Sequence, residues 1–341
     1  MLEDTEGFLY PHTDETACVD CGLCEKACPV LSPYPGRRPQ KSFAAINRQE
    51  DVRLKSSSGG IFSLLAENII AGGGMVYGVR YTSTWDVEHH GTDKASELPQ
   101  YRGSKYVQSR IGHCFIEIRK LLEEGKPVMF VGTPCQVAGL HHFLGKSYSQ
   151  LLTVDFVCHG VPSPAVWKWY IADFAKRHRF LSFTSAKDPI KAIRNIDFRN
   201  KKKGWKRYRM VVELDGLLKR RFSWVHYKNP YMKSFLLNLN LRSSCYQCPS
   251  KEGRSHSDIT LADFWNVHKV TDGFDDNKGT SLVLINTEKG AAAFDGIECG
   301  KREVDFDNAI HYNQAWHTPY AENGKRAEFF RKYRTHFNDF I

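Results

Sequence analysis

Apolar residues at Ile61, Leu64, Leu65 and Ile69 recur at helical spacing through "IFSLLAENII", with Asn68 as the exception, and predict an amphipathic helix. The glycines at 72–74 end it, and "MVYGVRY" behind them predicts a strand. A second amphipathic helix is predicted over "RIGHCFIEIRKLLEEG", followed by a buried strand "PVMFVGT" and a turn at "PCQ". "LLTVDFVCHG" is a continuous apolar run entering a turn, and "PSPAVWKWYIADFAKRH" predicts a helix with proline near its start. Between about residues 181 and 225, alternation in "RNIDFRN" and "RYRMVVELDG" predicts antiparallel hairpins. Strand patterning returns in "DITLADFW" and "TSLVLINTEKG". Helix and strand periods thus alternate along most of the chain. They predict a mixed α/β core with its chemistry at strand ends.

The first 40 residues lack this pattern: they are rich in cysteine and end in "SPYPGRRPQ", which reads as a linker. A chain of 341 residues accommodates one large or two ordinary domains, and 41% hydrophobic residues exclude a disordered polypeptide. No run of eighteen apolar residues spans a membrane, and "MLEDTEGFLY" has no apolar signal region, so a cytoplasmic protein is expected. In a reducing compartment ten cysteines point to metal ligands or redox groups rather than to disulfides. The net charge of +10 raises the question of nucleic acid, but no nucleic-acid-binding motif accompanies it. The main basic cluster, "RNKKKGWKRYR" from Arg199 to Arg209, fits a turn between strands. It is either a solvated hairpin or a docking face for an acidic partner or anionic cofactor.

Cys18, Cys21, Cys24 and Cys28 follow the spacing C-x₂-C-x₂-C-x₃-C-P, a ferredoxin-type [4Fe-4S] run. Short spacings let thiolates from one loop wrap the corners of a cubane, and Gly22 permits the tight turn. In two-cluster ferredoxins the fourth cysteine of each run ligates the other cluster. Here there is a single run. Either Cys28 or a distant thiolate completes its cluster, or an upstream half is missing. Cys245 and Cys248 form half a metal site, because two thiolates cannot fill four coordination positions. Cys135 in "GTPCQ" and Cys158 in "VCHG" each follow a strand, where side chains converge, and the four together could hold a further [4Fe-4S] cluster. Cys114 and Cys299 are expected to be buried small hydrophobes.

"KSSSGGIF" offers hydroxyls and glycines immediately before a helix, which suits either an anion or a simple N-cap. "YRGSKYVQSRIG" places Lys105, Tyr106, Gln108 and Ser109 before the next helix: a ring could stack on Tyr106 and a phosphate could meet Lys105. Neither a Rossmann glycine fingerprint nor a Walker loop is present. His159 in "CHG" and the pair His89–His90 are candidates for proton transfer.

Taken in order, "KSSSGGIFSLLAENII", "YRGSKYVQS", "GTPCQVAGL", "VCHGVPSP", "CYQCPSKEGRSHSDITLADFW" and "NKGTSLVLIN" resemble the beta subunits of coenzyme F420 hydrogenases and dehydrogenases. That family includes hydroxymethyl chlorophyll reductase. The resemblance runs from residue 15 to about 295. It implies an iron–sulfur flavoprotein oxidoreductase that passes electrons between [4Fe-4S] clusters and FAD, and a hydride between FAD and a deazaflavin or other organic substrate. It also implies ferredoxin or another redox protein as partner. Matched by segment, Ser57, Ser58, Gly59, Gly60, Lys105, Tyr106, Gln108, Ser109, Thr133 and Pro134 would contact FAD. Cys135, Cys158, Cys245 and Cys248 would hold the core cluster. His159 and Asp263 are assigned to catalysis, and Asp263 would sit close to the cluster or flavin. The expected organisation is a ferredoxin-like segment over 1–40, an FAD- and cluster-binding α/β core over 41–295, and a C-terminal extension over 296–341. Two other readings use the same cysteines: an electron-relay subunit without its own substrate, and a zinc-binding structural module.

Overall fold

The computed structural model describes residues 1–178, 189–215 and 220–341. The N-terminal segment holds a two-stranded ribbon, β1 (Leu2–Glu3) and β2 (Leu9–Tyr10), and a single helical turn, α1 (Leu23–Lys26). The body then runs through β3 (Lys41–Ile46), α2 (Glu50–Leu54), α3 (Ile61–Ala71), β4 (Met75–Tyr81), β5 (Val87–Thr92) and α4 (Cys114–Glu123). β6 (Val128–Val131), α5 (Pro134–Leu144), β7 (Leu151–Phe156) and α6 (Pro164–His178) follow. A separate antiparallel sheet is made by β8 (Ile193–Asn200), β9 (Arg209–Leu214) and β10 (Arg220–Val225). After α7 (Pro230–Leu236), the chain re-enters the main sheet as β11 (Ile259–Asp263), β12 (Ser281–Ile285) and β13 (Gly300–Glu303).

The main sheet has eight strands in the order β13-β3-β12-β11-β7-β6-β4-β5. Its centre, β4, β6, β7 and β11, is parallel, and the outer strands pair antiparallel. Strand alternation divides its side chains between two layers. Val76 and Met129 join Ile61, Leu65 and Ala66 of α3, whereas Tyr77, Val128 and Phe130 join Ile118 of α4 and Val137 and Leu140 of α5. Covered on both faces, the central strands are near-continuous apolar runs, as their sequences require. The expected α/β architecture is observed, including the hairpins, although residues 181–188 and 216–219 of that stretch lie outside the described ones.

Three expectations change in detail. The helix expected from Arg110 starts at Cys114, because Gly112 takes a left-handed φ of 58° just before it. The turn expected at "PCQ" is the first turn of α5, opened by a capping box between Thr133 and Gln136 with Pro134 in the first turn. The segment expected as a C-terminal extension supplies the edge strand β13.

Candidate functional site

β6 and β7 are adjacent and parallel, so the residues that follow them emerge side by side at the carboxyl end of the sheet, where such folds bind ligands. Cys135 lies just beyond β6, in the first turn of α5, and Cys158 lies just beyond β7. A bridge between Pro162 and Leu241, continued by Arg242 N–H donating to the Val161 carbonyl, carries the loop with Cys245 and Cys248 to the same place. Each of the four thiols lies within the electrostatic field of the other three. Among the described residues, no group of three or more His, Cys, Asp or Glu is drawn tightly enough to hold a single metal ion.

Burial pushes the Cys135 and Cys158 thiols above their ordinary range and that of Cys245 up to about 12. Yet Cys135 is exposed, and Cys158, Cys245 and Cys248 are half-buried. Cys135, Cys158 and Cys245 are thus crowded by protein while their side chains keep some access to solvent. The donor set, four thiols from three separate stretches of chain, fits a four-thiolate cluster.

The ferredoxin-type run is fastened at both ends to residues flanking the Cys245–Cys248 loop. Upstream, Arg242 donates to the Leu9 carbonyl at 3.1 Å and lies 3.9 Å from the Tyr10 ring centre, and Tyr10 Oη meets Ser243 at 3.3 Å. Those contacts adjoin Cys245. Downstream, Tyr34 is sandwiched between His142 and His256 with ring centres 4.5 and 4.4 Å away, and Arg37 N–H donates to the Glu252 carbonyl. Those contacts follow Cys248, so the expected linker is tied down along its length. Pro29 packs over Gly139, one turn along α5 from Cys135. Within the run Cys18, Cys21 and Cys24 are exposed and Cys28 is half-buried. Gly22 is left-handed at φ 65°, as its tight turn requires.

The Ser/Gly loop and the Lys105 stretch also meet. Ser57 Oγ lies 2.8 Å from Ser104 Oγ and accepts from Ser104 N–H. Gly59 is wedged between β3 and β12, where a Cβ would come within 2.3 Å of the Ala45 carbonyl oxygen. Gln136 donates to Ser109 Oγ at 3.0 Å and Arg242 to Gln108 Oε1 at 3.3 Å, so this stretch abuts both cysteine-bearing elements. Thr133 Oγ1 sits 3.1 Å from Cys135 Sγ, with Pro134 between them in the chain. Lys105 donates to two carbonyls, each at 3.3 Å, and lies 5.5 Å from the Tyr81 ring centre, and burial pushes its amine down to about 7.

Residue patterning misses Arg199 and Lys201. Both lie in the basic cluster that reads as a solvated hairpin or docking face, and both are buried, at 5% and 3% exposure, while Lys202 and Lys203 are exposed. Arg199 donates to Asp263 at 2.8 Å, to Tyr106 Oη at 3.1 Å and to the Ser57 carbonyl at 3.2 Å. It therefore joins three segments that are far apart in sequence. Lys201 donates at 2.7 Å to the carbonyls of Arg53, Ser58 and Lys278.

The family described as the carboxy-terminal region of the coenzyme F420 hydrogenase/dehydrogenase beta chain matches residues 125–305. The chain belongs to that family. A 4Fe-4S binding domain matches residues 11–32, so this member is an iron–sulfur redox subunit. Among solved structures, a chain of the F420-reducing [NiFe] hydrogenase complex from Methanosarcina barkeri, studied as a xenon derivative, superposes with a TM-score of 0.51. The alignment covers 88% of this chain and 92% of that one at 13% identity, which shows a shared fold. No curated protein matches.

In this F420 hydrogenase beta-subunit relative, other candidates occupy packing roles. The half-buried Tyr106 packs edge-to-face with Phe198 and at a tilt against Phe235, and its hydroxyl accepts from Arg199. His159 Nε2 meets Asn238 Oδ1 at 2.6 Å, its ring stacks on Tyr320 at 3.9 Å, and burial lowers it to about 4. His89 and His90 sit on β5 at the opposite edge of the sheet from β13, lining a cleft of about 570 Å³ with Cys114. Cys114 and Cys299 are buried. Among the described residues, no helix is long and apolar enough to cross a membrane.

Proposed function

We propose that this protein is an FAD-dependent iron–sulfur oxidoreductase whose core cluster is held by Cys135, Cys158, Cys245 and Cys248. The observation that carries the reading is the mutual proximity of those four thiols at the carboxyl end of β6 and β7. A single zinc ion needs thiolates converging within about 2.3 Å of one point, whereas a cubane is bound at its corners and spans more.

Cys18, Cys21, Cys24 and Cys28 would hold the second cluster. FAD would lie against Ser57, Ser58, Gly59 and Gly60 at the start of α3 and against Lys105, Gln108, Ser109, Thr133 and Pro134. Lys105, two serine-rich turns and a helix N-terminus are donors suited to an anionic cofactor. When bound, FAD would exchange single electrons with clusters and a hydride with an organic acceptor such as a deazaflavin. The protein's own part is positional. Arg199 ties the Ser57 loop and Tyr106 to Asp263, and Gln136 ties Ser109 to the helix that carries Cys135. Asp263 thereby serves as an anchor carboxylate. His159 is left out of the proposed chemistry, because its ring and Nε2 are engaged in packing. The redox partner would be a ferredoxin or another electron-transfer protein.

Anaerobic purification followed by iron, sulfide and flavin assays tests this reading. About four irons per four-thiolate cluster are expected, together with bound flavin. Cys135→Ala should remove the core share of iron and leave the N-terminal share. Colourless protein carrying stoichiometric zinc would overturn the proposal, and iron without flavin would replace it with the relay reading.

A further inference from the structure

Five basic side chains among the described residues are almost fully buried: Arg53, Arg199, Lys201, Lys251 and Arg326. The arginines are each matched by a carboxylate, Asp276, Asp263 and Glu6 respectively. Lys201 has three carbonyl acceptors, and Asp263 and Asp197 lie within its field. Lys251 is different. Its amine donates to the carbonyls of Cys158 at 2.7 Å and Ala315 at 2.8 Å, and among the described residues it forms no ion pair with a carboxylate.

A buried ammonium satisfied by carbonyls alone is costly, and native proteins match such charges. The carbonyl it grips at 2.7 Å belongs to Cys158, and its charge also acts on the Cys158 and Cys245 thiols, which become anionic only as thiolate ligands. The local backbone directs it there. Lys251 follows Cys248 by three positions, and the next two residues, Glu252 and Gly253, are left-handed at φ 54° and 72°. A Cβ on Gly253 would lie 2.2 Å from the Arg37 carbonyl oxygen, so the "KEG" turn is fixed by close packing. Glu252 N–H donates to the Trp316 carbonyl, which holds the turn beside Ala315.

We propose that Lys251 is the resident counter-charge of the core iron–sulfur cluster and sets its reduction potential. The inference rests on the reading of Cys135, Cys158, Cys245 and Cys248 as ligands. Four thiolates outweigh the positive charge of a cubane core, so the bound cluster is a net anion, and one added electron makes it more negative. A fixed cation at its edge stabilises the reduced form more than the oxidised one. Lys251 therefore raises the potential at which the cluster accepts an electron, whether from the N-terminal cluster or from a redox mediator.

The test uses the full-length protein prepared anaerobically, with Lys251→Gln, Lys251→Met and Lys251→Arg. Iron and sulfide content and a mediator-poised redox titration followed by electron paramagnetic resonance are read for each. The core signal is the one that disappears in Cys158→Ala. Lys251→Gln and Lys251→Met should keep their iron while the core signal titrates at a more negative potential. At fixed potential the ratio of reduced to oxidised cluster should fall by at least about tenfold, which is 59 mV for one electron. Lys251→Arg should restore most of the shift. Full iron with an unchanged core potential in Lys251→Gln would overturn the inference while leaving the cluster reading intact. An iron content unaltered by Cys158→Ala would instead remove the cluster reading and this inference with it. If Lys251→Met does not fold, Lys251→Gln, which retains hydrogen-bond donors, decides.

Discussion

Cys18, Cys21, Cys24 and Cys28 lie within eleven residues of one another, whereas Cys135, Cys158, Cys245 and Cys248 are gathered from three separated stretches. The first set sits on one loop with a single helical turn, and three of its members are exposed. The second is assembled by two parallel strands, a capped helix and a bridged loop, and is crowded by protein. A site written locally depends on little beyond its own turn. A site written globally exists only when the whole sheet has formed, so its chemistry and the stability of the fold are the same question.

The strongest way to break this contrast is to remove one thiol from each set. Cys245→Ser should lose the core iron and lower the melting temperature of the anaerobic protein by at least about 5 °C, since cluster binding adds to folding. Cys21→Ser should lose N-terminal iron and leave the melting temperature within about 1 °C, as expected of an exposed position. Equal thermal shifts in iron-loaded protein would refute the distinction.

Next in size is Arg199→Ala, which strands the partly buried Asp263 and releases Tyr106 and Ser57. Loss of one partner from such a pair costs about 3–5 kcal/mol, readable as a lower urea midpoint. Arg199→Ala should leave the iron of the N-terminal run in place.

Acid provides a graded test of the main sheet, on which the global set depends. Burial lowers His89 to about 4 from an ordinary 6.5, so the unfolded chain takes up its proton first as pH falls. Its effect on stability is flat above about pH 6.5 and becomes steadily unfavourable from there toward pH 4, with a slope of about 1 kcal/mol per unit. Thermal unfolding between pH 8 and 5 should show this decline, and His89→Gln should lessen its slope while the share of His141 and His159, also lowered to about 4 by burial, persists.

The smallest effect is expected for Tyr34→Ala. Each lost ring contact is worth about 1 kcal/mol, and the contacts hold the N-terminal run rather than the sheet. Proteolysis within residues 11–33 should accelerate with little change in global melting. A large fall in global stability would mean that the run is integral to the core.

The same contrast explains what is legible in the sequence. The N-terminal run announces itself by spacing, and the helix over Ile61–Ala71 and the central strands by period, because each is a local pattern. The core cysteines are visible as residues after strands. Their convergence is not, since it depends on β6 and β7 being neighbours and on the bridge from Pro162 to Leu241. Helix α5 hides beneath an apparent turn, although Thr133, Pro134 and Gln136 spell a capping signal that could reveal it. Arg199 and Lys201 are indistinguishable from Lys202 and Lys203 by composition. Only alternation along the hairpin and an acidic partner at position 263 turn the first two inward. Tyr106 reads as a stacking platform because nothing local foretells its packing against Phe198 and Phe235 or its bond to Arg199.

The fastening of the N-terminal run on either side of the Cys245–Cys248 loop has an engineering consequence. Arg242 and Ser243 grip one end, and His256 and Glu252 the other, so the intervening chain is attached to the body at two fixed points. Between those points Pro29 also packs over Gly139 of α5, and a replacement segment is expected to keep that contact, with retention of the core iron as the check. A loop of matching end-to-end reach, carrying a rubredoxin-like iron site or no metal at all, can be grafted there without recutting the sheet. The chain is in that sense a socket for interchangeable electron inlets.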